Sequence, residues 1–301
     1  MRSNADEYEL IAPPTLNAVL QTLAQNPTRY TPIAGGTELM VALSAGRLPQ
    51  KHLLSINHLR ELRFIEVTPG AITLGSGATF TDIRRNPLIA ADLPLLTQAA
   101  SWTGSIANQN RGTIGGNIVN ASPAADSPPA LLAYDATLTL ISSAGTRTLP
   151  YTDFHLSYKK TSLRPEELLH SISIKRNFAG YKTYIRKVGA RNAQAISKIA
   201  LACLVRLSDP NDPAGISKGN SRVITDIRIG AASLRETPTR CTAAEQALLN
   251  QLLTPATLPT LIASARAAVA TETRPIDDIR STAKYRAAVA ANLLEEFLRS
   301  L

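Results

Sequence analysis

The stretch Arg111-Gly112-Thr113-Ile114-Gly115-Gly116-Asn117-Ile118-Val119-Asn120-Ala121-Ser122-Pro123-Ala124-Ala125-Asp126-Ser127 decides how the rest of the chain is read. It holds three glycines and a set of short polar side chains, and only Arg111 and Asp126 carry charge at neutral pH. Glycine lets backbone N–H groups come close to a ligand and tolerates positive φ. Successive N–H groups in such turns form concave anion sites. Thr113, Asn117, Asn120 and Ser122 add neutral hydrogen-bonding groups, and the apolar run from Pro128 to Leu132 reads as a helix fed by the loop. The chemistry points to a phosphate or pyrophosphate on backbone amides, with Asp126 free to accept from a hydroxyl or an amine.

A Gly-Gly-Asn alone is ordinary turn punctuation. A second glycine loop, Thr31-Pro32-Ile33-Ala34-Gly35-Gly36-Thr37-Glu38-Leu39, changes its weight. It lies between a strand at Tyr30 to Ile33 and a helix at Glu38 to Leu43, which is where a phosphate would sit. The spacing is not that of the G-x-G-x-x-G dinucleotide fingerprint.

Working outward, Thr15 reads as the N-cap of a helix carrying Leu16, Val19, Leu20 and Leu23 at helical spacing. Leu53 to Ile56 is a strand, and Phe64 to Val67, Pro69-Gly70 and Ile72 to Leu74 form a hairpin. Helices follow at Thr79 to Ile83 and Leu93 to Trp102, with Trp102 as a core anchor. Leu131 to Tyr134 closes the helix after the central loop. Ala136 to Ser142 alternates as a strand, Thr148 to Phe154 reads as loop, and Leu168 to Ile174 is a strand. A boundary near Lys175 to Ala179 separates a domain over 1–176, with subdomains over about 1–57 and 58–176, from one over 177–301. The second holds strands at Lys182 to Val188, Ile199 to Leu207 and Val223 to Ala231, with a polar loop from Ser208 to Ser221. It turns helical from Thr242 and ends in a helix from about Ser281 to Leu298. The fold class is α+β.

The chain has 301 residues, is 44% hydrophobic, and has a net charge of +9, enough for two packed domains and suited to an anionic cofactor or acidic partner. The basic residues are scattered, with no basic helix stripe or metal-finger spacing, which argues against nucleic acid. Cys203 and Cys241 make no metal site, and Cys203 reads as a small buried hydrophobe. His52, His58, His155 and His170 form no ligand pattern. The polar start reads as no signal peptide and no apolar run approaches spanning length, so a cytoplasmic location is expected.

The two loops resemble the flavin loops of the molybdenum hydroxylases, in the separate FAD-binding medium subunit of carbon monoxide dehydrogenase-like and xanthine dehydrogenase-like enzymes. The likeness extends to Tyr184-Ile185-Arg186-Lys187-Val188-Gly189-Ala190-Arg191, to Ala195-Ile196-Ser197-Lys198, and to Arg274-Pro275-Ile276-Asp277-Asp278-Ile279-Arg280-Ser281-Thr282-Ala283-Lys284-Tyr285-Arg286. It implies a two-subdomain FAD-binding domain of the vanillyl-alcohol oxidase type, with a C-terminal domain of antiparallel sheet and helices covering part of the flavin. By that resemblance Pro32, Ile33, Ala34, Gly35, Gly36, Thr37, Glu38 and Leu39, together with Thr113, Gly115, Gly116 and Asn117, cradle the pyrophosphate. Asp126 takes the ribose or adenine end, Thr103 and Gly104 lie beside the isoalloxazine, Leu169 packs near the ring, and Lys187 approaches its pyrimidine edge.

The resemblance further implies noncovalent FAD, with molybdopterin on a large partner chain and [2Fe-2S] clusters on a small one, in a heterotrimer. Electrons pass through FAD to NAD or another acceptor, and no catalytic acid or base is needed. Relatives commonly carry arginine where this chain has Gln109, and the cysteines of relatives with an extra cluster in this subunit are absent here, so no cluster is expected. Two rival readings stand beside this one: a stand-alone FAD-dependent oxidase of a small alcohol, and a nucleotide-binding module without a redox role.

Overall fold

The run Ile199–Leu207, apolar at nearly every position, becomes a strand buried on both faces, and it joins the two halves of the molecule. The structure is a computed structural model and describes residues 5–192, 194–209 and 222–301. Most of the polar loop expected at Ser208 to Ser221 therefore lies outside the described residues.

Three strands, β1 (Glu9–Ile11), β2 (Thr31–Ile33) and β3 (His52–Ser55), form a parallel sheet in the order β1-β3-β2. Pro32 lies on edge strand β2, where a missing N–H costs no ladder bond. The helix Leu16–Gln25 is capped by Thr15, which accepts from the Ala18 N–H. It buries Val19, Leu20 and Leu23 against Leu54, Leu59, Leu62 and Leu168.

The second sheet is antiparallel. Its strands are β4 (Ile65–Val67), β5 (Ala71–Gly75), β6 (Thr137–Ser142), β7 (Gly145–Pro150) and, after a small hairpin of β8 (His155–Ser157) and β9 (Lys160–Thr161), β10 (Leu168–Lys175). The order is β4-β5-β10-β6-β7. Residues 148 to 150, expected as loop, extend β7, where Thr137 pairs with Pro150 and Thr139 with Thr148. An exposed edge strand of polar and β-branched residues has no apolar alternation to betray it.

In β10 the register shifts between Leu169 and Ser171, leaving His170 as a bulge. The extra residue changes the parity of the strand. Leu169, Ile172 and Ile174 thereby enter one core, while Leu168 faces the other.

The C-terminal half has β11 (Lys182–Val188), β12 (Ile199–Leu207), β13 (Arg222–Ala232) and β14 (Thr239–Arg240) in consecutive antiparallel order, with β15 (Leu252–Leu253) paired to β13. One face of β12, with Ala202 and Leu204, joins the core of the first domain. The other, with Leu201, Cys203 and Val205, packs under the helices Leu258–Glu272 and Ala283–Arg299. Cys203 is fully buried, as its apolar surroundings in the sequence imply, and burial pushes its thiol up. No helix among the described residues is long and apolar enough to cross a membrane.

Candidate functional site

The two glycine loops meet. A side chain on Gly35 would place its Cβ 1.8 Å from the Arg111 carbonyl oxygen. On Gly112 a Cβ would come within 3.4 Å of Thr37 Oγ1. Backbone packs on backbone here, which only glycine allows. Gly36 has φ +74, a left-handed turn that carries the chain from β2 into the helix Leu39–Ser44.

Across that turn, none of the N–H groups from Gly35 to Leu39 donates to an acceptor among the described residues. The loop is half-buried to exposed. A run of N–H groups that no described residue satisfies can donate to an anion. The pyrophosphate of FAD, anionic and rich in acceptor oxygens, fits it. Beside the turn is an open hollow of about 590 Å³ lined by Gly36, Thr37, Met40, Val41, Ser44 and Asn108, among others.

The second loop behaves differently. Ile114–Val119, within the stretch read as loop, is a short helix despite its two glycines, because the Thr113 side chain caps it by accepting from the Gly116 N–H at 3.0 Å. The Gly115 N–H donates to the Ser76 carbonyl and the Asn117 N–H to that of Thr113. Gly115 is obligatory, since a Cβ there would lie 2.5 Å from that of Ser76. Ser76 is in turn held by the carbonyl of the bulged His170. The amides of this segment thus fix its own shape. What it presents outward is the exposed Gly116 and the NH2 group of Asn117, whose Oδ1 accepts from the Ser127 hydroxyl at 2.6 Å.

Asp126 already accepts one hydrogen bond on each oxygen. Its Oδ2 takes an N–H of Lys187 Nζ at 2.6 Å and its Oδ1 takes the Ser197 hydroxyl at 2.6 Å. Burial pushes the Asp126 carboxyl up, while the Lys187 charge and the two hydrogen bonds pull it down, and the net direction is upward. Lys187 lies on β11 on the same face as Ile185, which packs against the first domain's core. Its side chain is only 11% exposed, and Nζ also donates to the Trp102 carbonyl at 2.9 Å. An ammonium has three donors, so one remains.

Trp102 is half-buried at a helix end rather than a core anchor, and its useful atom is the backbone oxygen. Thr103 donates to the Ala99 carbonyl, and Gly104, at φ +62, turns the chain into the helix Ile106–Arg111. Leu169 is 4% exposed, its side chain committed to the core opposite Leu140. Gln109 is 2% exposed and braces two helices by donating to the Ser101 carbonyl at 2.9 Å, its Oε1 left unpaired.

The structure therefore assembles two clusters from the residues singled out in the sequence. One joins Gly35 to Leu39 with the Arg111–Asn117 segment. The other joins Thr103 and Gly104, through Trp102, with Asp126 and Lys187. Ser197, the Trp102 carbonyl and Asn108 had no role in the sequence reading. Ser197 stands in a recognisable motif, but only the tertiary fold shows what its hydroxyl touches.

Comparison with known proteins places the whole chain in a family. Residues 6–175 match the family model described as the FAD binding domain in molybdopterin dehydrogenase, and residues 184–301 the CO dehydrogenase flavoprotein C-terminal domain. The chain is 32% identical to the putative xanthine dehydrogenase FAD-binding subunit of Escherichia coli, over 90% of this chain and 88% of that one. It is 29% identical to the glyceraldehyde dehydrogenase medium chain of Sulfolobus acidocaldarius, over 93% of each. Among solved structures, carbon monoxide dehydrogenase from Hydrogenophaga pseudoflava superposes with a TM-score of 0.87 at 27% identity, covering 96% of this chain and 95% of that one. With both domains matched in order and the glycine loops in contact, the chain belongs to the FAD-binding medium subunits of the molybdenum hydroxylase family.

Proposed function

We propose that this chain carries electrons inside a multi-subunit molybdenum hydroxylase. It holds FAD noncovalently between the glycine loops and β11. Electrons arrive from a molybdenum centre on a larger partner chain by way of [2Fe-2S] clusters on a smaller one, and leave to NAD or another acceptor. The cytoplasm is the proposed location. The observation that carries the reading is the run of N–H groups from Gly35 to Leu39 without an acceptor among the described residues, on a loop that Gly35 clamps against Arg111.

Bound FAD supplies the redox chemistry, and the protein supplies position and electrostatics. Pro32 to Leu39 take the pyrophosphate, with the outward face of Gly116 and Asn117 completing the cradle. Thr103 and Gly104 flank the isoalloxazine, and the backbone at Leu169 backs the ring. The remaining donor of Lys187 points its charge at the pyrimidine edge, where reduction accumulates negative charge. The half over 1–176 carries the loops, and the half over 177–301 brings Lys187 and Ser197 to them. Partner chains supply the metal chemistry, in keeping with the medium-chain and FAD-subunit names of the relatives.

Copurification of the tagged protein from its native host, with an absorbance spectrum and mass identification of the bound chains, tests the reading. A flavin spectrum together with one larger and one small ferredoxin-like chain is expected. A yellow lone chain that oxidises small alcohols unaided replaces it with a stand-alone oxidase. A chain that takes up no flavin even with added FAD is a nucleotide-binding module without redox function.

A further inference from the structure

The carboxylate of Asp126 is nearly buried, its side chain 12% exposed. Each oxygen is already engaged by a donor from the C-terminal domain, the Lys187 ammonium on one and the Ser197 hydroxyl on the other. Ser197 is fully buried and is itself held, because its carbonyl accepts from the Ser233 hydroxyl at 3.3 Å. The Ser233 N–H donates at 2.8 Å to the carbonyl of Pro123, on the same turn as Asp126. Ser233 holds a left-handed φ of +65 to do so, a conformation that non-glycine residues adopt at a cost. Three bonds thus stitch the turn 123–126 to β11, to the residue just after β13 and to the segment between β11 and β12.

On the other side stands a lysine, a strongly hydrated charge on a flexible stem, almost removed from water. Such a charge needs a partner and an anchor. Among the described residues Lys187 has two acceptors, Asp126 and the Trp102 carbonyl. Without Asp126 it loses its counter-charge and one of its two tethers.

We infer that Asp126 and Ser197 are positioning residues that act on the cofactor through Lys187, Ser197 fixing Asp126 and Asp126 fixing the ammonium, rather than Asp126 binding a cofactor hydroxyl itself. The inference rests on the FAD reading given above. It assigns a role to Ser197 and replaces the one the resemblance implied for Asp126. Burial pushes the Asp126 carboxyl up, and the Lys187 charge and the hydrogen bonds from Lys187 and Ser197 oppose that push, in keeping with a carboxylate held by these two donors.

A double-mutant cycle on the full chain tests it, reading FAD affinity by flavin fluorescence and the midpoint potential of the bound flavin. The variants are Ser197→Ala, Asp126→Asn and Lys187→Met, with Ser197→Ala and Asp126→Asn each combined with Lys187→Met. Ser197→Ala and Asp126→Asn are expected to weaken FAD binding by about tenfold, a coupling usual for residues in contact. Ser197→Ala is also expected to lower the midpoint potential in the same direction as Lys187→Met. Both effects should vanish once position 187 is Met. If Asp126→Asn weakens FAD equally with Lys or Met at 187, Asp126 touches the cofactor directly and the inference is overturned. Unchanged affinity and potential in Ser197→Ala overturn it as well. The Asp126→Asn/Lys187→Met protein buries neither charge, so the cycle stays readable if one single variant folds poorly. A wild-type chain that binds no FAD would defeat the functional reading instead, a distinguishable result.

Discussion

At the scale of single residues, the glycines divide into those that are required and those that are not. Gly35 has no room for a methyl group against the Arg111 carbonyl, and backbone on backbone cannot yield. Gly35→Ala should force the two loops apart, at about 1–3 kcal/mol as for other overpacked sites, and should weaken FAD binding more than tenfold. Thermal melting and a flavin titration check both. Gly70, in the turn between β4 and β5, has nothing within 4 Å of a Cβ. Gly70→Ala should be neutral or stabilise by about 0.4–1 kcal/mol through the unfolded chain, with FAD binding unchanged.

Glu167 offers a pH test. Its carboxylate is 5% exposed and takes two hydrogen bonds from Arg147, at 2.7 and 2.8 Å, and the Arg164 N–H at 2.8 Å. The Arg147 hydrogen bonds hold the Glu167 carboxyl below its ordinary value, against the opposing effect of burial. A lowered value in the folded state adds stability that is fully present above the unfolded value of about 4.3. That stability is lost as pH falls through the folded one. Arg147→Met should therefore cost about 1–3 kcal/mol at pH 7, where it strands a buried acceptor. The deficit should shrink in denaturant melts at pH 3, and a deficit of the same size at both values would count against the assignment.

At the scale of elements, short helices depend on their caps. Ile114–Val119 contains two glycines, each costing about 1 kcal/mol relative to alanine, and it holds its shape through Thr113. Thr113→Val removes the side-chain acceptor of the Gly116 N–H at nearly constant volume. It should cost about 1 kcal/mol of stability, and hydrogen exchange should speed up selectively from Ile114 to Val119. Much of this level was legible in advance. Thr15 and Thr79 announce their helices, and the Pro69-Gly70 turn announces the pairing of Ile65 with Leu74. β7 and the helix Ile114–Val119 were not legible, for opposite reasons. The first has too little apolar pattern, and the second too much glycine, for local sequence to reveal a structure that neighbours impose.

At the scale of the whole molecule, the two halves are one packing unit. Ala202 and Leu204 of β12 complete the core of the first domain. Gly230 lets β13 lie so close to the helix Pro128–Ala133 that a Cβ would fall 2.1 Å from the Pro129 carbonyl. Asp135, at the end of that helix, is clasped by Arg228 and Arg240. Calorimetry of the apo chain should therefore give a single cooperative transition. Gly230→Val should lower its midpoint or split it in two, whereas two transitions in the wild type would mean that the halves fold independently.

The sequence by itself determined the family, the two glycine loops, and most strands and helices. These depend on local chemistry, on which residues tolerate a turn, alternate along a strand or cap a helix, and such information is contiguous in the chain. Tertiary structure alone decided which of those groups remain available. It left the amides of Gly35 to Leu39 without partners among the described residues and spent those of Gly115 to Asn117 on the fold. It turned Asp126 from an open acceptor into the counter-ion of Lys187, 61 residues away. The physical reason is that a hydrogen-bonding group has few valences and is claimed by whatever the fold brings within 3 Å of it, a competition among residues distant in sequence.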